Sequence, residues 1–199
     1  MRKSIFIIIS TIFGMVLAQD APTIASGDYL RVKPGKDAAF EKAVATHVSK
    51  WHGQGQWSQF GFKVTNGPRA GMYVIGTSGH YWKDYSERVT TKSHDKDWDN
   101  IINSFVIKSE GGSFWTYKPE LSYKDQLLPM VQITYYYYKP GALENMMAIM
   151  KKYKSANEKA DYEKSYGIYT KASGGLDQVW IFVGRMNDLS GLVPIQFYS

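Results

Sequence analysis

The 199-residue chain contains no cysteine. That absence excludes disulfides, thiolate zinc sites, iron–sulfur clusters and a lipidated N-terminal cysteine. Histidine is scarce as well: His47, His52, His80 and His94 are the whole supply. Their spacings match no helical or hairpin pair of ligands, so sequence spacing alone predicts no metal site. Long blocks of one charge are also missing. Lys and Arg number 24 against 18 Asp and Glu, and the basic residues are scattered (Lys33, Lys36, Lys63, Lys118, Lys139, Lys171). The short run Lys151-Lys152 with Lys154 falls on an expected helix, where a solvated face accounts for it, so nucleic acid is not expected as a partner.

Signatures of nucleophilic or nucleotide chemistry are absent too. Gly76-Thr77-Ser78-Gly79 is not the Gly-x-Ser-x-Gly of a nucleophile elbow. Gly111-Gly112 and Gly174-Gly175 read as turn glycines without a phosphate-loop lysine. Glu41, Glu120 and Glu163 have no partner that sequence can place. No apolar run is long enough to span a bilayer; the longest, Ile5 to Leu17, follows Arg2 and Lys3 and ends at Val16-Leu17-Ala18. This reads as an export signal cut after Ala18, with a periplasmic or extracellular destination and no membrane contact thereafter. Its removal takes two cations and no acid, which leaves 22 basic against 18 acidic residues.

What the chain does have is aromatic rings and an internal echo. Aromatics make up 15%, with fifteen tyrosines and six tryptophans. Tyr29-Leu-Arg-Val-Lys33-Pro34-Gly35 recurs as Tyr135-Tyr-Tyr-Tyr-Lys139-Pro140-Gly141, and the same offset carries Phe60-Gly61-Phe62 onto Tyr166-Gly167-Ile168. With a slightly larger offset, Tyr73-Val74-Ile75-Gly76 falls on Ile181-Phe182-Val183-Gly184. Three matches in one order imply a duplicated unit of about 100 residues.

Within the first unit, alternation predicts a strand from Asp28 to Lys33, broken by Pro34-Gly35. Phe40, Ala43, Val44, His47, Val48 and Trp51 then recur at helical spacing from Lys36 to Trp51. Ser58–Thr65 and Gly71–Ser78 read as a hairpin, 96–109 as a helix with Ile101, Ile102, Phe105 and Val106 inward, and 113–118 as a closing strand. The second unit repeats the plan with a strand over 130–139, a helix over 142–158 carrying Met146, Ile149, Met150 and Tyr153 inward, and strands over 165–171 and 178–185. It stops before any counterpart of 96–118. The expected division is a signal over 1–18, a linker over 19–26, a first unit over 27–118, a crossover over 119–129 and a shortened second unit over 130–199. Leu192 to Phe197 does not continue the repeat.

The order β-α-β-β-α-β is the split βαβ of ferredoxin-like folds, an α+β class. The Lys-Pro-Gly opening, the helix and the hairpin resemble units of the dimeric α+β barrel superfamily. That superfamily includes antibiotic-biosynthesis-type monooxygenases, NIPSNAP-like proteins and stress-responsive barrel proteins. The resemblance implies two tandem ferredoxin-like sheets closing one intrachain barrel, as in a secreted bacterial member. It also admits cofactor-independent monooxygenase or haem-handling chemistry, with His80 as the acid/base or axial ligand. It marks no active site of its own.

Strand alternation sends Leu30 and Val32 toward the helices and Tyr29 and Arg31 into the barrel, followed by Tyr135 and Tyr137. With His80 and Trp82 in an expected loop, these six are the candidate ligand contacts. No cofactor is assigned from the residues. The function expected first is binding of a small apolar or aromatic molecule in the barrel. A monooxygenase or haem enzyme is one alternative, and a module that self-associates or takes a partner through an unpaired strand edge is another. Tyr135 is expected in a central strand, where proline would unfold the barrel.

Overall fold

The computed structural model describes residues 21–52, 55, 57–174 and 179–188. The expected export signal, Leu192 to Phe197 and the Gly175 turn position lie outside the described residues. The elements run β1 (Ile24–Val32), α1 (Asp37–Trp51), β2 (Phe60–Lys63), β3 (Met72–His80), α2 (Trp82–Glu87), α3 (Lys92–Asp97), β4 (Val106–Tyr117), β5 (Met130–Tyr137), α4 (Leu143–Lys159), β6 (Ser165–Ser173) and β7 (Val179–Met186). A π turn at Trp98–Ile102 and a 3-10 turn at Asn103–Phe105 join α3 to β4. No described helix is long and apolar enough to cross a membrane.

The seven described strands form one antiparallel sheet in the order β2-β3-β1-β4-β6-β7-β5. The sheet curls into a half-barrel. β1 and β5 are separated by three strands, yet Tyr29 Oη and Tyr135 Oη lie 3.0 Å apart. Strand twist and the register shifts in the β1–β3, β1–β4 and β4–β6 ladders bend the sheet this way, and the β4–β6 ladder carries the curl through its middle.

The pairing is set by which side chains must leave water. Leu30 and Val32 point out of the curl and pack with Phe40, Ala43, Tyr73, Ile75 and Ile102 under α1. Leu121, Tyr123, Met150, Tyr166, Ile168, Trp180 and Phe182 form a second cluster under α4. Burying each large apolar side chain is worth about 1.5–3 kcal/mol, so these clusters hold the helices to the convex face. Pro34-Gly35 ends β1, and Gly35 takes φ +73°, a left-handed turn that favours glycine; Gly141 does the same at +82°. The hairpins share a register: Phe60 pairs with Gly76 and Gly61 with Ile75, while Tyr166 pairs with Gly184 and Gly167 with Val183.

Several sequence expectations shift. β1 begins at Ile24, inside the expected linker, because Ile24 and Ala25 are buried against β3 and β4. The expected helix over 96–109 is α3 plus two irregular turns, and Val106 already belongs to β4, paired with Val32. The β-branched Val106 and Ile107 prefer the extended chain, and β4 runs on through Gly111 and Gly112. Ile149 is 53% exposed rather than inward. The crossover contributes Leu121, fully buried, and a bridge from Tyr123 to Tyr166. β5 is the outermost strand among the described residues, paired only with β7, so Tyr135 is not in a central strand.

Candidate functional site

Opposite the helix-covered face, the concave side of the sheet encloses a cavity of about 150 Å³. Its wall takes Val74 from β3, Val131 and Ile133 from β5, and Ile181 and Val183 from β7, with the rings of Tyr29, Trp115 and Tyr169. A cavity of that volume lined by apolar groups is about the size that holds one benzene ring. It adjoins a wetter vestibule of about 410 Å³, bordered by Tyr117, Asp125, Gln126 and Arg185. Phe60, Leu127 and Tyr169 line both spaces.

The polar groups on this face are paired with one another. Arg185 Nε donates to Asp125 Oδ1 at 2.8 Å, and both side chains are nearly buried. Arg185 Nη2 lies 3.4 Å from Tyr169 Oη. Burial, reinforced by the Asp125 charge, pushes the Tyr169 phenol up to about 12. Tyr135 is pushed up still further by burial and its bond to Tyr29. Arg69 stacks its guanidinium 4.3 Å over the Tyr29 ring and donates to Glu110 Oε2 at 2.8 Å. Both phenols therefore stay neutral hydrogen-bonding groups at ordinary pH.

Of the six residues expected from sequence, the structure brings Tyr29 and Tyr135 together on the concave face. Arg31 does not line the cavity; it pairs in register with Met72 and Lys108 and lies beside Gly71. Its expected place beside Tyr29 is taken by Arg69. Tyr137 is 68% exposed, because β5 is the outer strand and Tyr137 stands at its end. His80 is not in a loop. It closes β3, fully buried, with Nε2 2.6 Å from Thr77 Oγ1 and its ring stacked on Trp57 at 4.1 Å. Burial pushes its pKa down. Trp82 starts α2, half exposed, with its ring near Tyr85 and Phe114.

Sequence reasoning missed Trp115, Tyr169, Asp125, Arg185 and Arg69. Alternation in β4, β6 and β7 would have put Trp115, Tyr169 and Arg185 on one face, given the curl. It also missed a convergence of histidines. His47, His52 and His94 come from α1, from the residue that ends α1, and from α3, and their ligand atoms lie within 4.8 Å of one another. Sequence spacing cannot reveal a set that only tertiary packing assembles. The cluster lies on the convex side of the sheet, away from the cavity.

No family model matches the chain, and no curated protein matches it by sequence. Solved structures do. A protein from Fusobacterium nucleatum subsp. nucleatum, provisionally named a monooxygenase, superposes with a TM-score of 0.61 at 16% identity, over 86% of this chain and 79% of that one. A second, also provisionally named a monooxygenase, from Lactobacillus acidophilus, gives 0.57 at 9% identity, over 82% of this chain and 76% of that one. At these identities the likeness concerns the fold.

Proposed function

We infer that the chain has the mixed α+β, curled-sheet fold of antibiotic-biosynthesis-type monooxygenases, a reading that the likeness to both neighbours supports. We propose that the chain is an exported protein, made by duplicating a ferredoxin-like unit, that holds one small aromatic or apolar molecule inside its curled sheet. The observation that carries this reading is the cavity itself: apolar walls from three strands, rings from three more positions, and a polar mouth. The matched hairpin registers and the strand orders β2-β3-β1 and β6-β7-β5 support the duplication. The N-terminal pattern, Arg2 and Lys3 before the apolar run Ile5 to Leu17 and the small-residue end Val16-Leu17-Ala18, supports export.

Titration calorimetry with indole tests the reading. One molecule should bind per chain, and Val183→Trp, which fills the cavity, should abolish binding while the protein stays folded. Equal binding by both proteins would overturn it.

The fold likeness favours a second reading, cofactor-independent oxygenation of an electron-rich aromatic substrate in the same cavity. Such chemistry needs a group to take the substrate's proton. On the concave face Asp125 and Glu110 are each bound to an arginine, so either would have to leave its partner. Oxygen uptake on adding 1-naphthol, lost in Val183→Trp, would favour this reading over simple binding.

A further inference from the structure

We infer that His47, His52 and His94 form a binding site for a borderline divalent transition metal of the zinc type, with one coordination position left open. The inference stands apart from the cavity proposal, because the cluster lies on the opposite side of the sheet.

The far nitrogen of each ring is already engaged. His47 Nδ1 is 2.7 Å from Asp97 Oδ2, His52 Nδ1 is 2.9 Å from the Trp57 carbonyl, and His94 Nδ1 is 3.0 Å from Asp95 Oδ1. A carbonyl or a carboxylate only accepts, so each Nδ1 is the donor. A neutral imidazole has a single N–H, and so each Nε2 presents a lone pair. Those of His52 and His94 face each other at 3.1 Å. His47 Nε2 is buried and has no hydrogen-bond partner, on a residue only 1% exposed. Three lone pairs thus converge with no proton among them. That arrangement repels itself unless a cation sits between, or unless one ring carries an extra proton.

The separations approach those of a metal site: His52 and His94 Nε2 are 3.1 Å apart, and the ligand atom of His47 lies within 4.8 Å of both. Zinc–imidazole bonds of about 2.0–2.1 Å in a tetrahedron put neighbouring nitrogens ~3.3 Å apart. The carboxylate or carbonyl behind each ring is the outer partner that orients metal-binding histidines and raises their basicity. Imidazole alone, without thiolate or carboxylate ligands, favours zinc, cobalt, nickel or copper over magnesium or calcium. Trp98 meets His47 edge-on at 5.2 Å, and Trp51 meets His94 at 5.4 Å, which walls the cluster from solvent. Three protein ligands leave a fourth place for water or a ligand. A cavity of about 430 Å³, bordered by His52, His94, Arg88 and Asp28, adjoins it.

The test uses untagged protein dialysed against chelator and titrated with cobalt(II) alone. One equivalent should bind with the visible bands of four-coordinate cobalt, and zinc should displace it. His94→Ala should abolish the bands with an unchanged far-UV circular dichroism spectrum. Asp97→Asn should weaken binding about 10–100-fold, and His80→Ala should bind as the parent does. Absence of a one-to-one complex, or equal binding by His94→Ala, would overturn the site. Ring NMR of the parent keeps the test decisive if a variant fails to fold. Zinc should move the signals of three histidines and spare His80, whereas a proton shared by His52 and His94 with no response to zinc would refute the inference.

Discussion

Position for position, the two helices that cover the sheet sit on very different chemistry. α1 and α4 each follow a strand closed by a Pro-Gly turn, and each lies over a hairpin of the same register. Beneath α1, His47 reaches Asp97 and two further imidazoles. At the matching place beneath α4, Tyr153 packs against Tyr166 and Phe182. The difference traces to the segment between β3 and β4. It supplies His94, Asp95 and Asp97 beneath α1. The two helices thus cover a polar filling in one place and an apolar filling in the other.

Backbone disruption should separate the halves most sharply. Tyr29→Pro strikes β1, which has a ladder on both sides, and should prevent folding. Tyr135→Pro strikes β5, with one ladder, and should leave a folded protein of lower Tm. Circular dichroism melts would show it, and equal losses would break the contrast between inner and outer strand.

Next come the two convex cores. Phe40→Ala and Trp180→Ala each remove a side chain about 1% exposed and should each cost about 3–5 kcal/mol. Because the β4–β6 ladder joins the halves, both variants should show one denaturant transition followed by tryptophan emission and circular dichroism alike. Two separated transitions would mean that the halves fold independently.

Alkali should weaken the concave face. The Tyr169 phenol is held neutral in the fold up to about 12, whereas in the unfolded chain it ionises near 10. Its contribution is fully present below about pH 10 and is lost as pH rises through about 12, because only the unfolded state sheds its proton in that window. Ultraviolet titration should find a group of tyrosines that ionise only as the circular dichroism signal collapses. Smooth ionisation of every tyrosine in the native protein would contradict the burial.

The smallest effect belongs to the contact between β1 and β5. Tyr29→Phe and Tyr135→Phe should each cost about 0.5–1.5 kcal/mol, and the double variant little more than either. Full additivity would mean that the two hydroxyls do not meet in solution.

Local pattern made most of the elements readable. The Pro-Gly breaks, the three-four spacing from Phe40 to Trp51 and the alternation in the strands place α1, α4 and the hairpins within a few residues of where they lie. The segment after β3 resisted because its short helix, π turn and 3-10 turn follow no single period. The site resisted for a different reason. Tyr29 and Tyr135 were legible through the repeat, but Arg69, Asp125 and Arg185 reach the concave face only through the curl of seven strands. The histidines meet across turns of chain that carry no shared spacing.

Native mass spectrometry of the protein recovered from an exporting host tests the central claim, that the concave face of the curled sheet seats a small molecule. The account predicts a single chain with one reproducible extra mass of small-molecule size, absent from Val183→Trp. The same mass on both proteins, or an empty chain that pairs with a second copy, would contradict it.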